Sequence, residues 1–194
     1  LVTGVQTCAL PIFMKYYPMT LMDFIMKKKY DQYEADYIFL QLLDVLNYIH
    51  LNGYFHGDLS FKNILIDNDL NIALIDFGFS RKIYRKTSTR PTIYIRPIEY
   101  NDSNDQIDLA KIDTWALGCI YYTLITKDAL VNGKDMQECS KKIRKIFNNK
   151  FNNLYTLEYM YKGSEKFKFI KQLINLNIKS RPSINTILNM DYVI

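Results

Sequence analysis

Apolar residues recur at helical spacing over residues 31–52, and Gly53 follows as a residue typical of helix ends. A second segment, residues 114–125, is apolar nearly all round, which indicates a helix buried at the centre of a domain. Residues 166–176 and 184–190 have the pattern of two further helices. The hydrophobic pattern therefore predicts a mainly α fold with a small β component (α+β).

The β component is predicted between the first two helices. Two short apolar, β-branched runs, residues 64–66 and 72–75, flank Asp67-Asn68-Asp69, a sequence typical of a turn. This arrangement predicts a tight antiparallel hairpin.

Polar side chains flank the open end of the predicted hairpin. Asp58 and Asn63 precede its first strand, and Asp76 follows its second. Because a hairpin brings its two ends together, we expect these three side chains to surround a common space. Carboxylate and amide oxygens are ligands suited to Mg²⁺ and to a phosphate that accompanies it.

The motifs in this region resemble the catalytic loop and the metal-binding loop of eukaryotic-type protein kinases. His56-Gly57-Asp58 with Asn63 matches the pattern His-x-Asp-x4-Asn, and Asp76-Phe77-Gly78 matches Asp-Phe-Gly. The resemblance implies a kinase C-terminal lobe with ATP and Mg²⁺ as cofactors. It also implies a protein substrate whose hydroxyl group receives the γ-phosphoryl group.

The resemblance implies a role for each polar position. Asp58 is the expected catalytic residue that accepts or orients the hydroxyl proton, and Lys62 is expected to reach the transferring phosphate. Asn63 and Asp76 are the expected metal and cofactor ligands. His56 is expected to pack on the ring of the metal loop rather than to act as a base.

Other positions are implied to be structural or adenine-binding. Phe77 and Gly78 would shape the metal loop, and Leu65 would lie beneath the adenine ring. Residues 13–18, followed by a short helix, resemble the strand and hinge that join the two kinase lobes. The expected gatekeeper and hinge positions in that segment are Met14, Lys15, Tyr16 and Tyr17.

Two positions depart from the common family pattern. Gly57 stands where the family usually has Arg, and Ser60 stands where it usually has Lys. The Arg normally pairs with a phosphorylated activation loop, so its replacement by Gly57 suggests activity that is not gated in that way. Either departure is also compatible with a weakened enzyme.

Downstream residues resemble protein kinases in particular. Residues 92–99 are similar to the end of an activation segment; Thr92 is typical of serine/threonine kinases, and Arg96 favours the cyclin-dependent and mitogen-activated branch. Glu99 is implied to pair with Arg181, bracing the lobe.

Asp113, in Asp-x-Trp-x-x-Gly, has two interpretations. It is either a buried acid bonded to backbone near the catalytic loop or a simple N-terminal acid on a helix.

Two other functions remain open. A pseudokinase would keep the fold and serve as a binding or scaffold module. The His-Gly-Asp motif also resembles aminoglycoside and choline phosphotransferases, which share the wider fold and act on small molecules.

Residues 2–12 resemble the translation of a common sequencing adapter. We therefore expect residues 1–12 to be an artefact, and residues 13–194 to be a C-terminal lobe that starts at the hinge. On this interpretation the N-terminal lobe is missing from the sequence and would be a partner in cis. Its Gly-rich loop and ATP-anchoring Lys would be needed for activity.

Composition bears on partners and compartment. The net charge of +5 comes from 25 basic and 20 acidic residues without a dense basic tract, so no nucleic-acid partner is expected. No apolar run reaches the ~18 residues of a membrane span, so no membrane partner is expected. The three cysteines lack metal-like or paired spacing, which predicts a reducing, cytoplasmic or otherwise intracellular location.

Overall fold

A computed structural model describes residues 15–83, 108–130, 138, 141–142 and 164–190 of the protein. The helices in these ranges are α1 (Leu21–Lys27), α2 (Gln32–Leu51), α3 (Ala110–Thr126), α4 (Glu165–Leu173) and α5 (Ile184–Leu188). The strands are β1 (Met19–Thr20), β2 (Tyr54–Phe55), β3 (Ile64–Ile66), β4 (Ile72–Leu74) and β5 (Arg81–Lys82). Helices dominate the described ranges, as predicted.

Helix α2 begins and ends where the sequence predicts. The Asp31 carboxylate accepts a hydrogen bond from the Glu34 backbone N–H, and Glu34 returns a bond to the Asp31 N–H. This capping box satisfies two N–H groups that the first helical turn leaves without partners. Asn52 caps the other end, and Gly53 follows with φ of +79°, a conformation that glycine adopts without strain.

Helix α3 is buried at the centre of the core, as its apolar sequence predicts. Its Trp115, Leu117 and Ile120 are fully enclosed, and it packs between α2 and α4. Gly118 allows the α4 side to approach so closely that a Cβ there would lie 2.7 Å from the Leu173 Cβ. The buried helix thus contacts both α2 and α4.

A buried polar cluster joins three helices. The Tyr121 hydroxyl on α3 donates to the Asp36 carboxylate on α2 at 2.7 Å. The Lys166 ammonium on α4 forms an ion pair with the same carboxylate. Burial raises the pKa of the Tyr121 phenol far above its ordinary range, and the Asp36 carboxylate adds to that effect. The phenol therefore serves as a permanent donor.

The predicted hairpin is present, and it has a third strand. Strands β3 and β4 pair antiparallel, with Ile64 opposite Leu74. Strand β1 adds to the other edge of β3, with Thr20 opposite Leu65. The sequence analysis did not predict β1, because two residues after a proline are too short to show strand periodicity.

A second, two-stranded ribbon was also not predicted. Phe55 in β2 lies opposite Arg81 in β5, and Tyr54 lies opposite Lys82. The Ser80 hydroxyl donates to the Phe55 carbonyl at 2.7 Å, at the start of the same ribbon. The ribbon fixes the chain just before His56 to the chain just after Gly78.

Among the described residues, no helix is long and apolar enough to cross a membrane.

Candidate active site

Asp58 and Asn63 are joined directly at the start of the hairpin. The Asn63 amide Nδ2 donates to Oδ2 of Asp58 at 3.0 Å and to the Asp58 backbone oxygen at 2.9 Å. Both side chains are partly buried. The loop between them is therefore closed on itself, and it presents the Asp58 carboxylate in one orientation.

The hairpin brings Asp76 to the same end. The backbone N–H of Ile75 donates to the Asn63 carbonyl at 2.9 Å, so Asp76 follows directly on a residue bonded to Asn63. Asp76 has φ of +63° and begins the 3₁₀ turn Phe77–Phe79, where its Oδ1 accepts from the Gly78 N–H at 3.2 Å. The backbone of Asp76 thus lies at the same end of the hairpin as Asn63, and a common space for the three side chains stays a prediction.

His56 is buried under this site and shapes it. Its Nδ1 accepts from the Asp58 N–H at 3.2 Å, and its Nε2 lies 3.0 Å from the Ile75 carbonyl. These two partners assign the proton to Nε2, because Nδ1 must accept while Nε2 must donate. The ring also meets Phe77 edge-on, with centroids 5.0 Å apart. His56 therefore links the loop that carries Asp58 to the turn that follows Asp76, and hydrogen bonds occupy both of its ring nitrogens.

The structure decides between the two interpretations of Asp113. Its carboxylate is 1% exposed and accepts from the backbone N–H groups of His56 at 2.7 Å and Gly57 at 3.0 Å. Asp113 also lies in the first turn of α3, but its bonds run to the catalytic loop. The central helix thus holds the backbone of that loop.

His50, near the end of α2, has a partner that the sequence analysis did not find. Its Nε2 lies 2.9 Å from Oδ2 of Asp113, on a helix 63 residues further along the chain. His50 is therefore part of the support for the catalytic loop. A pairing over such a separation leaves no local signal in a single sequence.

Leu65 and the residues before β1 are the positions expected to bind adenine, and this stays a prediction. Ile64 and Ile66 are buried in the core, so Leu65, between them, faces the opposite side of the sheet and is partly exposed. Tyr16 is exposed and Tyr17 is partly buried in the segment beside it. Met14, the expected gatekeeper, lies outside the described residues.

Lys15 ties this segment to the hairpin turn. Its ammonium forms a 2.8 Å ion pair with Asp67 and lies 4.8 Å from the centre of the Tyr17 ring. The hydrogen bond from Lys15 is the main reason that the pKa of Asp67 falls to about 2, with backbone and side-chain bonds from Asn71 adding to it. Sequence analysis placed Lys15 at the hinge without this partner.

Lys62 and Ser60 occupy different environments. Lys62 is exposed, as a side chain that reaches a phosphate must be, whereas Ser60 is 6% exposed. Ser60, at the position where the family usually has Lys, thus lies in the interior of the protein.

Arg181 is fully buried and joins two parts of the helical core. Its guanidinium donates to the carbonyls of Asn175 and Lys111 and lies over the Trp115 ring, 4.9 Å from its centre. Its expected partner Glu99 lies outside the described residues, as does Thr92. The pairing of Arg181 with Glu99 stays a prediction.

The side chains of Asn63 and Asp76 fit a metal ion that is also bound by phosphate oxygens. Among the described residues there is no group of three or more His, Cys, Asp or Glu side chains that could hold a metal ion by itself. Mg²⁺ typically uses one or two carboxylates and completes its shell with phosphate and water oxygens. Because the Asn63 amide nitrogen is committed to Asp58, its oxygen is the atom suited to a metal, alongside the Asp76 carboxylate.

The helical core, the hairpin and the two loops that it joins have the architecture of a protein kinase domain. The family model described as protein kinase domain matches residues 6–193, and the chain belongs to this family. The predicted family is confirmed.

Individual relatives support the serine/threonine type. The chain is 32% identical over 154 residues to cyclin-dependent kinase G-2 of Oryza sativa subsp. indica. This match covers 77% of this chain and 21% of that protein. The chain is 26% identical over 175 residues to serine/threonine-protein kinase cds1 of Schizosaccharomyces pombe, covering 84% of this chain and 36% of that protein. The chain thus spans about a fifth to a third of these relatives' length. The names of these relatives agree with the predicted serine/threonine type and with the cyclin-dependent branch.

A solved structure supports the fold. The crystal structure of the yeast RNA Pol II CTD kinase CTDK-1 complex matches with a TM-score of 0.79 and 24% sequence identity. The match covers 92% of this chain and 68% of that chain. At this identity the likeness shows the kinase fold alone.

Proposed function

We propose that this protein transfers the γ-phosphoryl group of ATP to Ser or Thr hydroxyl groups of protein substrates. The observation that carries the proposal is the pair of bonds from the Asn63 amide to Asp58, next to Asp76 at the open end of the hairpin. This arrangement orients one carboxylate for a hydroxyl group and leaves an amide oxygen and a second carboxylate for a metal.

Asp58 would orient the substrate hydroxyl and accept its proton. The hydroxyl oxygen forms a bond to the γ-phosphorus, the bond from the γ-phosphorus to the bridging oxygen of ATP breaks, and ADP leaves with those electrons. The exposed Lys62 would balance charge on the transferring group. These steps need no proton from His56, in keeping with its occupied nitrogens.

Asn63 and Asp76 would hold Mg²⁺, which would neutralise the charge of the phosphates when bound. Leu65 would support the adenine ring, while backbone groups of residues 15–17 would bind its edge. The ion pair between Lys15 and Asp67 supports this part of the proposal, because it holds that segment against the hairpin.

The 194 residues by themselves are expected to be inactive. The sequence has seven glycines, and none of them forms the Gly-x-Gly-x-x-Gly pattern with which the family covers the phosphates. A longer natural chain that supplies this loop and an ATP-anchoring Lys in cis would therefore be needed for transfer.

The test uses the longest chain that the natural gene encodes, with labelled ATP, Mg²⁺, dephosphorylated casein and a set of Ser and Thr peptides. Asp58→Asn is expected to lower kcat by about 10²–10⁴-fold while nucleotide binding is kept, because it removes only the proton acceptor. Asp69→Asn, an exposed acid in the hairpin turn, is the matched control and should keep full activity.

The other functions give different results in the same assay. A pseudokinase would bind nucleotide without phosphorylating any protein or peptide. A small-molecule phosphotransferase would label an aminoglycoside or choline in place of casein. Equal activity of wild type and Asp58→Asn would contradict the proposed role of Asp58.

A further inference from the structure

Gly57 lies at a point where two functional loops touch. It is buried between His56 and Asp58 and has φ of +81°. A Cβ at this position would lie 2.9 Å from the backbone oxygen of Phe79 and 2.8 Å from Cε2 of Phe55. In this structure a side chain at position 57 would have to displace one of these neighbours, so the Arg that the family usually has here requires a different arrangement of them.

We propose that Gly57 is a positioning residue for the metal loop. Because it has no side chain, the Phe79 backbone can press against the catalytic loop, and this contact holds the turn that carries Asp76. The part of the proposal that concerns Mg²⁺ rests on the proposed function. The part that concerns the position of Phe79 does not.

The catalytic loop cannot give way at this contact. The N–H groups of His56 and Gly57 donate to the two oxygens of the buried Asp113 carboxylate. Moving the loop back would break bonds to an enclosed charge, which is costly because no water replaces them. A side chain added at position 57 would therefore displace the residues on the other side of the contact.

The other side is the backbone around Phe79. Ser80, its neighbour, is bonded through its hydroxyl to the Phe55 carbonyl, and Phe55 pairs with Arg81 across the ribbon. The ribbon thus holds the Phe79 backbone next to Gly57. A side chain at position 57 would push Phe79 away against this attachment.

A shift of Phe79 would reach Asp76. Phe79 ends the 3₁₀ turn that Asp76 begins, and the turn is closed by the Ser80 N–H donating to the Phe77 carbonyl at 3.0 Å. The Asp76 carboxylate is itself bonded to the Gly78 N–H within that turn. The carboxylate cannot keep its position if the turn is opened.

Gly53 offers a matched control on the same chain. It has φ of +79°, so alanine carries the same backbone strain there, but nothing lies within 4 Å of the added Cβ. Comparing Gly57→Ala with Gly53→Ala therefore separates the close contact from the cost of the left-handed conformation.

The first measurement is hydrogen exchange of the Gly78 and Ser80 amides in the longest natural chain, without nucleotide. Gly57→Ala should speed their exchange, whereas Gly53→Ala should leave it at the wild-type rate. Equal exchange in the two variants would overturn the proposal. This measurement decides the position of Phe79 even if the protein proves not to transfer phosphate.

The second measurement is the Mg²⁺ concentration that gives half-maximal binding of ATP. Gly57→Ala should raise it by about 10-fold or more, which is the size of effect seen when groups that orient a metal ligand are changed. Gly53→Ala should not change it. If wild type binds no Mg²⁺ and ATP, the proposed function fails, and the exchange measurement still tests the contact.

Ser80→Ala tests the same contact if Gly57→Ala does not fold. It removes the hydroxyl bond to the Phe55 carbonyl without adding bulk, so it loosens the attachment of Phe79 from the other side. Faster exchange of the Gly78 amide and a smaller rise in the Mg²⁺ requirement are expected. Wild-type values for both in Ser80→Ala would overturn the proposal.

Discussion

The backbone N–H of His56 donates to the carboxylate of Asp113 at 2.7 Å, across 57 residues of chain. The bond is buried and joins the first turn of α3 to the catalytic loop. The same carboxylate accepts from Gly57 and lies against His50. One acid on the central helix thus holds the loop that presents Asp58.

Replacing this acid should weaken both the fold and the site. Asp113→Ala leaves two buried backbone N–H groups without acceptors, so we expect it to lower the free energy of unfolding by about 2–5 kcal/mol. Asp113→Asn keeps an acceptor and should cost less. Urea unfolding measures both, with Asp44→Asn as a control because Asp44 is exposed on α2. Equal stability of Asp113→Ala and wild type would contradict this account of the loop.

The ion pair between Lys15 and Asp67 should be visible in a pH titration. The folded-state pKa of Asp67 is about 2, below its ordinary 3.8, so the ionised carboxylate favours the folded hairpin. Its contribution is therefore fully present above pH ~4 and is lost as the pH falls through about 2. The NMR shift of the Asn71 backbone N–H, which donates to Asp67 at 2.9 Å, reports this titration.

Lys15→Met provides the control for this titration. Because the Lys15 hydrogen bond is the largest cause of the lowered pKa, its removal should move the midpoint up toward the ordinary value. A midpoint that is the same in wild type and Lys15→Met would show that the ion pair does not form in solution.

The Tyr121 hydroxyl in the polar cluster that joins α2, α3 and α4 should contribute to stability. Tyr121→Phe removes the donor to the Asp36 carboxylate and leaves that carboxylate short of a partner in a buried setting. We expect a loss of about 1–3 kcal/mol in the free energy of unfolding. Tyr48→Phe, at a side chain that is 72% exposed, should be neutral. A neutral Tyr121→Phe would show that Lys166 alone satisfies Asp36.

Gly118→Ala should destabilise the protein, although replacing glycine by alanine usually stabilises a helix. Alanine normally stabilises a helix interior by about 1 kcal/mol relative to glycine. Here the added Cβ would lie 2.7 Å from the Leu173 Cβ and 2.8 Å from Cγ2 of Ile174, so we expect destabilisation by about 1–3 kcal/mol. A variant more stable than wild type would show that the contact between α3 and α4 can widen without cost.

The helices and the hairpin could be predicted because their signals are local. The capping box of Asp31 and Glu34, the spacing of apolar residues in α2 and the turn at Asp67 all lie within a few residues of what they specify. The motif spacing also predicted that Asp58, Asn63 and Asp76 meet, since a hairpin of known length leaves little freedom for its ends.

The sequence by itself thus determined the kinase family and the main helices, and it predicted the polar set at the hairpin. Only the tertiary structure decided the partners of Asp113, the pairing of Phe55 with Arg81, and the contact between Gly57 and Phe79. These contacts join residues that are 22 to 63 positions apart along the chain. Such pairings follow from how whole elements pack against one another, and no pattern of neighbouring residues encodes them.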